Sequence, residues 1–161
     1  MHSRTINLFL AFVCHELLII AYYFQYVRGF EPCPLCIIQR VAIFSIGVLL
    51  LIMAVINATP GQLLSRLFNS AGVLFSLVGI AAAGRQVWLQ SLPPSQVPTC
   101  GPSLEYMMKV FSTNELMAEL LKGSGQCAKV DWRLWGLSMG AWVLIGLIGS
   151  TSFFLWRAWK R

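Results

Sequence analysis

The sequence predicts an all-α membrane protein: a four-transmembrane-helix bundle with two outward-facing loops, the second carrying a short interfacial helix. Three observations predict it. Of 161 residues, 57% are apolar and only 11% charged, with a mean hydropathy of +0.70, more apolar surface than a soluble domain of this size can bury. The apolar residues gather into four runs, about 6–27, 41–58, 67–89 and 134–156, each long enough to cross a hydrocarbon core of roughly 30 Å at ~1.5 Å per helical residue. No run shows the polar–apolar alternation over about ten residues that a membrane β-strand needs.

Each element has its own signals. The first run carries one acid, Glu16, and ends in Tyr22, Tyr23, Phe24 and Tyr26. It is longer than the roughly 7–15-residue core of a secretory signal, so it reads as a retained helix whose aromatics form an interfacial belt. The 57–66 connection holds Thr59-Pro60-Gly61, a short turn that makes the second and third helices antiparallel neighbours. Small residues four apart, Gly72 with Ser76, Gly79 with Ala83 and Gly136 with Gly140, let helix backbones approach where no hydrophobic effect drives them together.

The chain reads as one membrane domain, 1–161, with outward loops of about 28–40 and 90–133. In the second loop Pro93, Pro94, Pro98 and Pro102 make an extended stretch. Ser112-Thr113-Asn114-Glu115 then reads as a capping box opening a short helix that Gly123 closes, with Leu116, Met117, Leu120 and Leu121 on its apolar face.

The formal charge is +6, but the basic residues are scattered singly, which excludes a nucleic-acid stripe. With the N-terminus inside, Arg4, Arg66, Arg157, Lys160 and Arg161 face the cytoplasm without an acid, whereas the outer loops mix both signs. The positive-inside rule therefore places both termini in the cytoplasm.

The chemistry lies in five cysteines, at 14, 33, 36, 100 and 127. Cys14 lies within the first helix and reads as a small packing residue. The other four fall in the outward loops, in the compartment where disulfides persist. Cys33-Pro34-Leu35-Cys36 is a C-x-x-C pair at the mouth of the second helix, a spacing suited to a redox-active disulfide. A helix amino terminus favours thiolate at Cys36, and Arg40, one turn further on, adds a permanent positive charge on the same face.

Other readings compete for these cysteines. The four sulfurs could form a zinc sphere, although Cys100 and Cys127 are not a second C-x-x-C. Covalent haem is disfavoured because Ile37, not His, follows Cys36. A bond between Cys100 and Cys127 would enclose 26 residues, as a staple contributing about 3 kcal/mol or as a reactive bond exposed between Pro98 and Pro102. Spacing does not choose between them. Glu16, an acid in lipid, is a functional candidate, and Arg85 reads as snorkelling to lipid phosphate.

On these residues the chain resembles the disulfide bond formation protein B (DsbB) family. The resemblance runs through Gln25, Pro32-Cys33-Pro34-Leu35-Cys36-Ile37-Ile38-Gln39-Arg40, Gly84-Arg85-Gln86-Val87-Trp88-Leu89-Gln90, Pro98-Thr99-Cys100-Gly101-Pro102 and Gly123-Ser124-Gly125-Gln126-Cys127. It implies a thiol oxidase of the bacterial inner membrane with Cys33, Cys36, Cys100 and Cys127 as catalytic residues. A DsbA-like periplasmic thiol oxidase would attack a Cys100–Cys127 disulfide at Cys100, and the freed Cys127 would attack Cys33. Cys36 would leave as a thiolate beside Arg40, where a membrane quinone, ubiquinone or menaquinone, takes the electrons. Some relatives carry a His shortly before the third cysteine; this chain has Ser91 and no His beyond residue 15. The vitamin K epoxide reductase class is disfavoured because its C-x-x-C lies on a late helix. A four-cysteine metal-binding or scaffold membrane protein is the non-enzyme alternative.

Overall fold

The computed structural model describes residues 2–57, 62–98, 109–112, 115, 123, 125–130 and 132–159. Its elements are α1 (His2–Tyr26), α2 (Pro34–Val55), α3 (Leu63–Ser91), a 3-10 turn (Pro94–Gln96), the single turn α4 (Gly125–Ala128), a hairpin of β1 (Arg133–Leu134) and β2 (Leu137–Ser138), and α5 (Met139–Trp159). Four of them, α1, α2, α3 and α5, are long and apolar enough to cross a membrane. They form a four-helix membrane bundle in which α1 packs on α2, α2 on α3 and α3 on α5. Phe9, Phe12, Val55, Leu63 and Leu74 are among many large apolar side chains on its outside, a surface that water penalises and lipid accepts.

All four membrane-helix starts differ from the expected ones: α1 and α3 begin four residues early, at His2 and Leu63, and the other two differ for reasons of local chemistry. α2 begins at Pro34 rather than near 41, so the loop between α1 and α2 ends at Cys33 and not at 40. Proline suits the first helical position, because its φ is already helical and the N–H it lacks would have no partner there. Hydropathy misses these first turns because Gln39 and Arg40 interrupt the apolar run. α5 begins at Met139 rather than near 134. Trp135 and Gly136 take φ of +49° and +81° and form the two-residue turn of the β1–β2 hairpin, with Leu134 opposite Leu137. Ser138 then caps α5, its Oγ accepting from the Ala141 N–H at 3.3 Å while its hydroxyl donates to Gln90 Oε1 at 2.6 Å. Gly136 is thus a turn residue rather than half of a packing pair.

The other small residues do set helix contacts. Along α3 and α5 Gly72 faces Phe154, Ser76 Oγ lies 3.2 Å from Ser150 Oγ, Gly79 faces Leu147, and Gly140 faces Gln86. Each step along α3 is matched by an equal step back along α5, which defines one continuous antiparallel seam. The notch at Gly72 is filled by the fully buried Phe154: a Cβ there would lie 2.6 Å from its ring.

At the end of the bundle remote from the C-x-x-C, buried Arg157 donates to Asn7 Oδ1 and, at 3.0 Å, to Ser3 Oγ, tying α5 to α1. In the second loop the Ser112 N–H and hydroxyl donate to Glu115 Oε2 at 3.0 and 2.8 Å, the reciprocal half of a capping box. These bonds hold the Glu115 carboxyl below its ordinary range. Leu116, Met117, Leu120 and Leu121, the expected apolar face of that helix, and Thr59-Pro60-Gly61 lie outside the described residues.

Candidate functional site: a three-sulfur cluster

The amino terminus of α2 builds the site. Cys33 is the N-cap, extended at φ −69° and ψ 161°, and its sulfur accepts from the Cys36 N–H at 3.4 Å. The first turn then carries Cys36 round until its Sγ lies 2.9 Å from Cys33 Sγ. Cys127, on α4, also hydrogen-bonds to Cys33. The segment that brings it packs on α3 and α2, over an apolar floor of Leu35, Ala82 and Leu89 that buries Cys33 and Cys127 together. Gly123, at φ +72°, lies against Leu35 and Leu89. Cys127 and Cys33 are buried and Cys36 is half-buried. Cys100 lies outside the described residues.

Cys33 is therefore the middle sulfur of three. Its hydrogen bond with Cys127, then that with Cys36, then burial push its thiol far up from the ordinary range. A thiol flanked by two others holds its proton while a neighbour gives one up. The distances also bear on the metal reading. Two thiolates on one tetrahedral zinc at ~2.3 Å would sit roughly 3.8 Å apart, farther than the 2.9 Å between Cys33 and Cys36.

Polar side chains surround Cys36 in a way the sequence did not show. Gln86 of α3 donates from Nε2 to Cys36 Sγ at 3.3 Å, and Gln39 of α2 donates from Nε2 to Gln86 Oε1 at 2.7 Å. Both belong to the stretches quoted for the resemblance, and the available signal was chemical: an amide buried in a membrane helix needs a partner. Arg40 is one turn beyond Cys36, as expected, but its bonds run to α1. It donates to Gln25 Oε1 and, at 3.1 Å, to the Ala21 carbonyl, and its guanidinium lies 5.2 Å from the centre of the Tyr22 ring.

The remaining candidates lie elsewhere. Arg85 stacks on Trp88 at 4.2 Å. Cys14 and His15 pack against Gly47, and the His15 Nδ1 is 2.7 Å from the Ala11 carbonyl. Glu16 beside them is half-buried.

A bundle of four membrane helices with a vicinal dithiol at one end, and a third cysteine delivered to it by a loop, defines a membrane thiol–disulfide protein. The comparisons with known proteins agree. A family model described as "Disulfide bond formation protein DsbB" matches residues 3–157. "Disulfide bond formation protein B" of Methylococcus capsulatus is 43% identical over 158 residues, covering 98% of this chain and 95% of the relative. The protein of the same description from Nitrosococcus oceani is 42% identical, covering 91% of this chain and 85% of its own length, and that from Hahella chejuensis is 42% identical at 99% and 94%. The chain belongs to the DsbB family of membrane disulfide bond formation proteins.

Proposed function

We propose that the protein reoxidises a DsbA-type periplasmic dithiol protein by disulfide exchange and passes the electrons to a membrane quinone, in the bacterial inner membrane with both termini cytoplasmic. The observation that carries this reading is the order of the sulfurs: Cys127 against Cys33, and Cys33 against Cys36 at 2.9 Å. Disulfide exchange needs an attacking, a central and a leaving sulfur. Here Cys33 is the central one.

In this reading the partner's thiolate attacks Cys100, and the Cys100–Cys127 bond breaks with the electron pair on Cys127. Cys127 then bonds to Cys33 as the Cys33–Cys36 bond breaks, and Cys36 leaves with the pair. The partner's second thiol displaces Cys100 and departs as the disulfide. Cys100 retakes Cys127, and the two protons and two electrons taken from the partner remain on Cys33 and Cys36.

Arg40 is the residue that would hold a quinone. Its guanidinium is a permanently charged fork of five N–H donors, half-buried one turn from Cys36 and braced by Gln25, Ala21 and Tyr22. A fixed donor fork of this kind fits a quinone carbonyl, and Cys36, the cysteine one turn from it and a half-buried residue where Cys33 and Cys127 are buried, is the one a lipid-borne acceptor would meet. The quinone, when bound, supplies the two-electron oxidising power that returns Cys33 and Cys36 to the disulfide.

The test mixes purified protein with a reduced DsbA-type protein and a soluble ubiquinone or menaquinone analogue and follows quinone absorbance. Reduction that Cys36→Ser abolishes and Arg40→Ala weakens is expected. No reduction with either quinone, in protein whose helical signal is intact, would overturn the proposal.

A further inference from the structure

We propose that Gln86 is a further catalytic residue, its side-chain amide donating to the Cys36 sulfur when that sulfur leaves as a thiolate, and that Gln39 and Gly140 hold the amide in this orientation. The inference rests on the redox reading of Cys36 and not on the identity of the partner or the acceptor.

Three helices build the arrangement. Gln86 on α3 and Gln39 on α2 are 6% and 4% exposed, and an amide so buried carries a penalty for every polar atom left without a partner. Gln39 donates to Gln86 Oε1 at 2.7 Å, which occupies the carbonyl and leaves the Gln86 NH₂ group for the sulfur, 3.3 Å away. Gly140 on α5 supplies the space: a Cβ there would lie 2.8 Å from Gln86 Oε1 and 3.0 Å from its Cδ. The carbonyl end is thus gripped on one side and given room on the other.

This answers a question the Arg40 geometry raises. The leaving sulfur of an exchange needs its developing charge stabilised. The bonds of Arg40 run toward α1, whereas the Gln86 amide is aimed at the sulfur itself. A donor fixed before the charge appears needs no reorganisation when it does, which is how a few preset hydrogen bonds gain strength in a dry site. Gln39 acts only through Gln86 and is a positioning residue, as is Gly140.

The test equilibrates the full-length protein in detergent with glutathione buffers, without partner or quinone. The Cys33–Cys36 disulfide and two glutathione thiols exchange for the dithiol and one oxidised glutathione, and alkylation with peptide mass spectrometry reads the fraction. Gln86→Met, unbranched and without a donor, is expected to make the Cys33–Cys36 couple more reducing by about tenfold in equilibrium constant, the size of one hydrogen bond to a charged group, or ~30 mV for a two-electron couple. The alkylation rate of Cys36 at neutral pH falls in parallel.

Gln39→Met produces a smaller shift of the same sign, because the amide is present but unheld. An equilibrium constant within twofold of the parent in folded Gln86→Met protein would overturn the inference. Should Gln86→Met fail to fold, Gln39→Met carries the test, and an unchanged potential there overturns it equally. If the potential shifts as expected but quinone reduction fails, the proposed electron acceptor is wrong and this inference stands.

Discussion

Replacing Gly123 by alanine should weaken the delivery of Cys127 to Cys33. Gly123 adopts φ +72° shortly before α4, and a Cβ there would lie 2.7 Å from Leu89 Cδ1 and 3.0 Å from Leu35 Cδ1. The left-handed backbone costs an L-residue about 1–2 kcal/mol, and forcing a methyl against the apolar floor adds roughly 1–2 kcal/mol, at the low end of overpacking because leucine tips can yield. The docked state therefore loses ~2–4 kcal/mol, a shift of about 30- to 1,000-fold in the ratio of docked to undocked loop. The assay is the effective concentration of Cys127 at Cys33, measured in a Cys36→Ser, Cys100→Ser background from the equilibrium between the Cys33–Cys127 disulfide and glutathione. Gly29→Ala is the control: φ there is +69° with nothing within 4 Å of a Cβ, so it bears only the backbone cost and leaves Cys127 in place. An effective concentration within twofold of the parent in Gly123→Ala, with helical signal intact, would refute the docking argument.

Two further outcomes follow from the same structure. Gly72→Ala places a methyl 2.6 Å from the buried Phe154 ring and should destabilise the bundle by roughly 1–3 kcal/mol in detergent melts, whereas Gly146→Ala, with nothing within 4 Å of its Cβ, should be neutral or stabilising by up to ~1 kcal/mol; the reverse ranking would sink the α3–α5 register. The Cys33 thiol is held protonated far above its ordinary value of 9.0, so above about pH 9 the unfolded chain sheds a proton that the folded, reduced protein keeps. Reduced protein should accordingly be fully stable on this account below pH 9 and lose up to roughly 1.4 kcal/mol per pH unit above it. Melts between pH 7 and 10.5 should show this extra slope in the parent and not in Cys33→Ala, and equal slopes would count against the three-sulfur geometry.

The four spans were legible because lipid makes apolar length the dominant signal, and nothing in the outer faces of α1, α2, α3 or α5 contradicts it. Helix ends were less legible, for a physical reason. A hydropathy run reports where a side chain can meet lipid, while a helix start is decided by caps and turn residues. Pro34 and the Cys33 cap begin α2 inside what reads as loop, and the left-handed Trp135-Gly136 pair turns an apolar stretch into a hairpin. Gly136 and Gly140 look alike in sequence, yet one is needed for its positive φ and the other for the room it gives Gln86.

The site shows where spacing stops being informative. C-x-x-C closes within one helical turn, so the meeting of Cys33 and Cys36 is a local consequence of chain geometry. Periodicity likewise put Arg40 at the right height above Cys36, but a position one turn along fixes only the level of a side chain, and a long one can still swing toward a different neighbour. Arg40 swings to Gln25 and Ala21 on α1, and the donor that reaches Cys36 comes from Gln86 across the α2–α3 interface. That separation has a chemical advantage. A single cation bound to the thiolate would hold it back from the acceptor and be unavailable to the acceptor itself. In the proposed electron transfer the neutral amide serves the sulfur while the guanidinium, one turn further along α2 and turned toward α1, is left to serve the acceptor, so that charge is stabilised at both ends at once.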